Sequence, residues 1–69
     1  MEETWVNIYS TSKAYLAEMA KDILFEEGIA AVIINKQDST YLFGEVELYV
    51  ERDDAILAKY ILDKAQINN

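Results

Sequence analysis

Glu45-Val46-Glu47-Leu48-Tyr49-Val50 alternates residue by residue between side chains that tolerate water and side chains that avoid it. In an extended chain successive side chains point to opposite faces, so Val46, Leu48 and Val50 face a core while Glu47 and Tyr49 face away from it. Such a strand needs a covering layer on one side only. Two amphipathic segments supply that layer. From Lys13 onward, Leu16, Met19, Ala20, Ile23 and Leu24 follow the i, i+3, i+4, i+7, i+8 stripe of a helix, with Lys13, Glu18, Lys21 and Asp22 largely elsewhere. After Asp53-Asp54, whose charges suit the amides of a helix start, Leu57, Ala58, Ile61, Leu62 and Ala65 repeat the stripe. Gln66-Ile67-Asn68-Asn69 reads as a frayed end.

Two more strands flank the first helix. Trp5-Val6-Asn7-Ile8-Tyr9 has period two, which predicts Val6 and Ile8 on one face and Trp5, Asn7 and Tyr9 on the other. Ser10-Thr11-Ser12 follows, with Ser12 the expected N-cap of the helix. Gly28 stands just past the helix end, where a left-handed residue closes a Schellman turn and brings Ile29 onto Leu24. Ala30 to Asn35 is nearly all apolar, which suggests burial on both faces or contact with another subunit. The resulting order is β-α-β-β-α. A right-handed crossover with the third strand slotted between the other two gives an α+β fold with a three-stranded antiparallel sheet, order 1-3-2, and two helices on one face. This is a ferredoxin-like domain lacking its last strand. Its first strand is an open edge, which the tail or another subunit is expected to occupy.

A chain of 69 residues makes one domain, ordered from about residue 4 to residue 66, and buries only about 60% of its unfolded surface. There is no Cys and no His, so neither disulfides nor Cys/His zinc sites can stabilise it. Oligomerisation is the support left open. Thirteen acidic residues against six basic ones give a net charge of -7, which disfavours nucleic acid and anionic membranes. The longest apolar run, Ile29 to Ile34, is far below the roughly 20 residues of a bilayer span. The opening Met1-Glu2-Glu3-Thr4 lacks the basic start of a secretory signal, and the expected location is cytoplasmic.

The segment from Lys36 to Gly44 is longer than a hairpin needs. Its donors and acceptors, with Asn35, Lys36, Asp38, Ser39 and Tyr41 foremost, have two readings. They form a ligand or partner loop, or they are turn architecture in which Asp38 and Ser39 bond nearby amides and Lys36 pairs with Asp38. Tyr41, Leu42 or Phe43 is expected to anchor this loop on the sheet. The face opposite the helices is expected to show Trp5, Asn7, Tyr9, Glu47 and Tyr49, with Ala31, Ile33 and Asn35 from the second strand. Three aromatics on such a face suggest a subunit or partner interface, the alternative being that the tail or the long loop covers them. Together, Trp5, Tyr9 and Tyr49 complete the candidate binding set, with no catalytic and no metal-ligating residue in it. With only Gly28 and Gly44, no nucleotide-binding loop can be built, and no His is present to activate a serine. The expectation is a non-enzymatic module without a cofactor.

The stretches Trp5-Val6, Ile8-Tyr9-Ser10-Thr11, Ala17-Glu18-Met19, Glu26-Glu27-Gly28-Ile29 and above all Asn35-Lys36-Gln37-Asp38-Ser39-Thr40-Tyr41, continued by Gly44 to Val50, carry a family resemblance. On these residues the chain resembles a small bacterial family labelled as prokaryotic signal-transducing proteins, a domain of unknown function. The resemblance spans nearly the whole chain and implies a ferredoxin-like, PII-like fold and a regulatory role. The function expected is therefore a small regulatory binding module acting through the long loop and the aromatic face. The alternative is a structural oligomerisation or protein-interaction domain with no small ligand. Partners expected are a second copy, a protein or a small metabolite. Self-association is expected through the first strand's edge or the Trp5/Tyr9/Tyr49 face, with a homodimer as the default and, by fold analogy alone, a PII-like trimer as the alternative.

Overall fold

The computed structural model of the protein describes residues 4–37 and 44–67. Strand β1 (Trp5–Thr11) leads to helix α1 (Ala14–Glu26), then to strands β2 (Ala31–Asn35) and β3 (Val46–Glu51). A single 3-10 turn (Arg52–Asp54) opens helix α2 (Ala55–Lys64). Both β1 and β2 pair antiparallel with β3, in the order β1-β3-β2. The fold is thus the expected α+β arrangement, with two edge strands.

β3 behaves as its alternation demands. Val46, Leu48 and Val50 are buried, and Glu47, Tyr49 and Glu51 are not. Leu48 and Val50 join Ala20, Leu24, Ile29, Ala58 and Leu62 in one core between sheet and helices. Burying each large side chain contributes roughly 1.5–3 kcal/mol. The buried line of α1 is Ala17, Ala20 and Leu24, with Met19 46% exposed. That line is rotated from the expected stripe and places the small Ala17 and Ala20 against the core in place of Met19. On α2 the buried residues are Ala58 and Leu62, while Leu57 and Ala65 turn outward.

β1 departs from its sequence pattern. Asn7 pairs with Tyr49, but Tyr9 pairs with Leu48, so Ile8 and Tyr9 together face one residue of β3. This is a β-bulge, and one extra residue inverts the parity of everything after it. Tyr9, expected on the open face, packs against the core instead, as does Ile8. The Tyr9 hydroxyl is buried and without a hydrogen-bond partner among the described residues. Asn7 holds the irregularity in place: its Nδ2 donates to the carbonyls of Tyr9 (3.1 Å) and Leu48 (3.2 Å), and its Oδ1 accepts from the Ser10 hydroxyl (3.3 Å).

The second strand is corrected likewise. Ala31, Ile33 and Asn35 pair with Val50, Leu48 and Val46 and so lie on the helix-facing side, leaving Val32 and Ile34 on the open one. An apolar run carries no parity signal; its register with β3 decides.

The turns are only partly as expected. Ser12 is exposed and does not cap α1, whose first turn has no side-chain cap. Thr11, fully buried opposite Val46, accepts the Lys13 amide on its Oγ1 at 3.0 Å and turns the chain into the helix. Gly28 adopts φ 83°, and the Ile29 and Gly28 amides reach back to Leu24 and Phe25, which is the Schellman turn foreseen. At the end of α2 the same turn recurs with Gln66 at φ 59° and the Ile67 amide on the Leu62 carbonyl. Ile67 packs on the core, so this end is not frayed at residues 66 and 67. Among the described residues no helix is long and apolar enough to cross a membrane.

Candidate functional site

Because paired residues of an antiparallel sheet share a face, the register defines the uncovered side. It carries Trp5 opposite Glu51, Asn7 opposite Tyr49 opposite Val32, and Ser10 opposite Glu47 opposite Ile34. Trp5 and Tyr49 are diagonal neighbours, both half-buried.

At one end of this face three side chains meet. The Lys36 Nζ lies 3.1 Å from Glu47 Oε1, and the Tyr49 hydroxyl donates to the same oxygen at 2.8 Å. Glu47 and Tyr49 are two apart on β3, hence on one face. Lys36 follows β2 by one residue, and its amide donates to the Glu45 carbonyl at 3.0 Å, extending the ladder past the strand. The Tyr49 hydroxyl, then the Lys36 ammonium, holds the Glu47 carboxyl below the usual carboxylate range. Glu47 in turn raises Lys36 and Tyr49 above their ordinary values. The cluster is therefore an ammonium, a carboxylate and a neutral phenol over the whole middle pH range. The Lys36 side chain is 55% exposed and Glu47 22%, so the charges remain within reach of a ligand.

The cluster stands at the base of the long loop, and that base is built rigidly. The Gln37 amide donates to Asn35 Oδ1 (2.8 Å), an Asx turn. Gln37 Nε2 donates to the Ser12 carbonyl (2.7 Å), tying the loop to the start of α1. A Cβ on Gly44 would collide with the Lys36 carbonyl, so only glycine lets the returning chain pass there. Asp38, Ser39, Tyr41, Leu42 and Phe43 lie outside the described residues, and with them the expected anchoring of the loop and the Lys36–Asp38 pair.

Of the remaining candidates, Trp5, Lys36 and Tyr49 all lie on the open face. Trp5, level with Glu51, stands at the opposite end from Lys36, which is level with Glu45, and only Lys36 and Tyr49 share the cluster. Asn35 acts in the turn rather than on that face, and Tyr9 belongs to the core. Glu47, which binds the other two members of the cluster, was legible only as an outward residue of β3. Its opposite charge to Lys36 could have been matched had the register been known.

A second surface was missed. Six large apolar side chains with more than a third of their surface free lie on the helices: Tyr15, Met19, Phe25, Ile56, Leu57 and Tyr60. Between the helices runs an open groove lined by Ile23, Glu27, Tyr60, Ile61, Lys64 and Ala65, with Lys64 Nζ 5.7 Å from the centre of the Tyr60 ring. Among the described residues no three acidic side chains converge where a metal ion could sit.

No curated protein and no solved structure matches the chain significantly. A family model does, across residues 5–66, which include the bulged strand, both helices and the Lys36–Glu47–Tyr49 cluster. The chain belongs to the family described as "Putative prokaryotic signal transducing protein".

Proposed function

We propose that this protein is a non-catalytic signalling module that binds a small metabolite or a protein segment on the open sheet face at the base of the 36–44 loop. The observation that carries this reading is the convergence of Lys36 and Tyr49 on one carboxylate oxygen of Glu47 beside a tied-down loop stem. A cation, an anion and a hydroxyl held in fixed relation offer directional contacts, and the Tyr49 ring offers flat apolar area for stacking, with Trp5 diagonal to it farther along the same face. Loops on rigid scaffolds are the usual place for such contacts.

Amide and indole NMR shifts of the labelled protein, titrated with a panel of nucleotides, amino acids and carboxylic acids, test this. The expected result is perturbation at Trp5, Lys36, Gln37, Glu47 and Tyr49, abolished in Lys36→Met. Perturbation confined to Ile23, Tyr60 and Ile61 would overturn it and favour the second reading, an interaction domain working through its exposed helical side chains.

A further inference from the structure

Among the described residues the open face is one unpartnered surface; the outer side of β2 is another, and its composition is self-complementary. We infer that two copies of this chain join through the free edge of β2 and the adjoining flank of α1, making one six-stranded sheet. This does not depend on the open face binding anything.

The backbone supplies the first half of the argument. The Lys36 amide points to β3, so by alternation those of Ile34 and Val32 do too, and the N–H and C=O groups of Ala31, Ile33 and Asn35 point outward. β2 has no bulge, no proline, no glycine and no charge from Ala31 to Asn35. An antiparallel pairing centred on Ile33 sets Ile33 against its own copy, Val32 against Ile34, and Ala31 against Asn35. No like charges meet.

Side chains on α1 supply the second half. Ile23 faces α2 across the groove, and Ala17, Ala20 and Leu24 face the sheet. At 3.6 residues per turn, the flank turned away from α2 is Ala14, Glu18, Lys21 and Phe25. Since α1 packs chiefly on β2 and α2 on β1, that flank borders the free edge of β2. All four residues are exposed, Phe25 to 77%. Glu18 and Lys21 make no ion pair among the described residues. Their spacing is symmetric: Glu18 and Lys21 share the midpoint of Ala14 and Phe25. An antiparallel approach of two such flanks therefore sets Glu18 against Lys21 of the second copy, and the large Phe25 against the small Ala14, each twice. The strand and helix midpoints agree in height. Ile33 lies roughly 10 Å up the strand from Ala30 and the helix midpoint roughly 10 Å from Glu26, at the usual rises per residue. One two-fold axis thus satisfies both layers.

Sedimentation equilibrium of the full chain at micromolar concentration tests the inference. The expected mass is twice 7.9 kDa. Glu18→Lys alone and Lys21→Glu alone each place like charges at two contacts and should weaken the dimer about tenfold or more. The double exchange should restore it, and Lys59→Ala, at an exposed position on α2, should leave it unchanged. Each substituted position is exposed, so circular dichroism should show every variant folded. A wild-type mass of one chain overturns the inference, as does a dimer indifferent to the single reversals or one that the double exchange fails to recover.

Discussion

β1 and β2 hydrogen-bond to the same central strand, and among the described residues each leaves one edge free, yet they are built on different plans. β1 carries a bulge at Ile8 and Tyr9, with the Asn7 side chain bonded into the backbone beside it. β2 keeps a continuous register from Ala31 to Asn35 with nothing interrupting it. A bulge twists an edge away from flat pairing, and flat apolar edges invite another strand. The comparison teaches that a bulge blunts one edge against flat pairing while the other keeps the uninterrupted register that such pairing needs.

The largest effect is expected where the two edges share a support. Leu48 is fully buried and sits opposite Tyr9 on one side and Ile33 on the other. Leu48→Ala should cost about 2–5 kcal/mol in chemical denaturation, since the cavity opens beneath both strands at once. A cost within that range leaves a small domain barely folded. A loss below about 1 kcal/mol would mean that the strands close over the gap independently.

Asn7→Ala should cost about 1–2 kcal/mol, because two carbonyls at the bulge lose the donor that reaches them. Its companion at the end of β2, Asn35→Ala, removes one bond to an exposed turn and should cost about 0.5–1 kcal/mol. Equal losses at the two positions would erase the distinction between a bulge that needs its asparagine and an edge that does not. In the opposite direction, Tyr9→Phe should stabilise by about 1 kcal/mol. It removes a buried hydroxyl that has no partner among the described residues and keeps the ring. Destabilisation would show that the hydroxyl is bonded in solution.

The same contrast explains what could be read in the residues and what could not. β3 announced itself, because strict alternation leaves one choice of inner face. β1 also alternates from Trp5 to Tyr9, but a bulge adds a residue without altering the local pattern, and Ile8 and Tyr9 are both acceptable in a core. Only the pairing with Leu48 reveals the switch. β2 offers no alternation at all, so Ala31 and Ile33 could be assigned to a face only through Val50 and Leu48. Helix ends followed the same rule. Gly28 signals a left-handed turn, whereas Gln66 adopts one without signalling it. The Lys36–Glu47 pair is a product of register and was hidden for the same reason. Residue types were legible, and cross-strand relations were not.

The smallest expected effect concerns that pair, which bridges the end of the available edge to the central strand. The Glu47 carboxyl is held below the usual range by Tyr49 and Lys36. A lowered acid contributes stability above its unfolded value, about pH 4, and loses it as pH falls through the lower folded value. Lys36 and Tyr49 are raised by Glu47. Their contribution is complete below about pH 10 and is lost as pH rises through the higher folded values. Stability should therefore be level in the middle range and decline slightly at both ends from this cluster. The amplitude is small because water screens a pair this exposed. Glu47→Gln should flatten both shoulders together, since one carboxylate is common to the three shifts. Thermal melts of the two proteins from acid to alkali read this directly. A Glu47→Gln profile that keeps the alkaline shoulder would show that Lys36 and Tyr49 are raised by something other than Glu47, and the join between β2 and β3 at the loop base would then rest on backbone bonds alone.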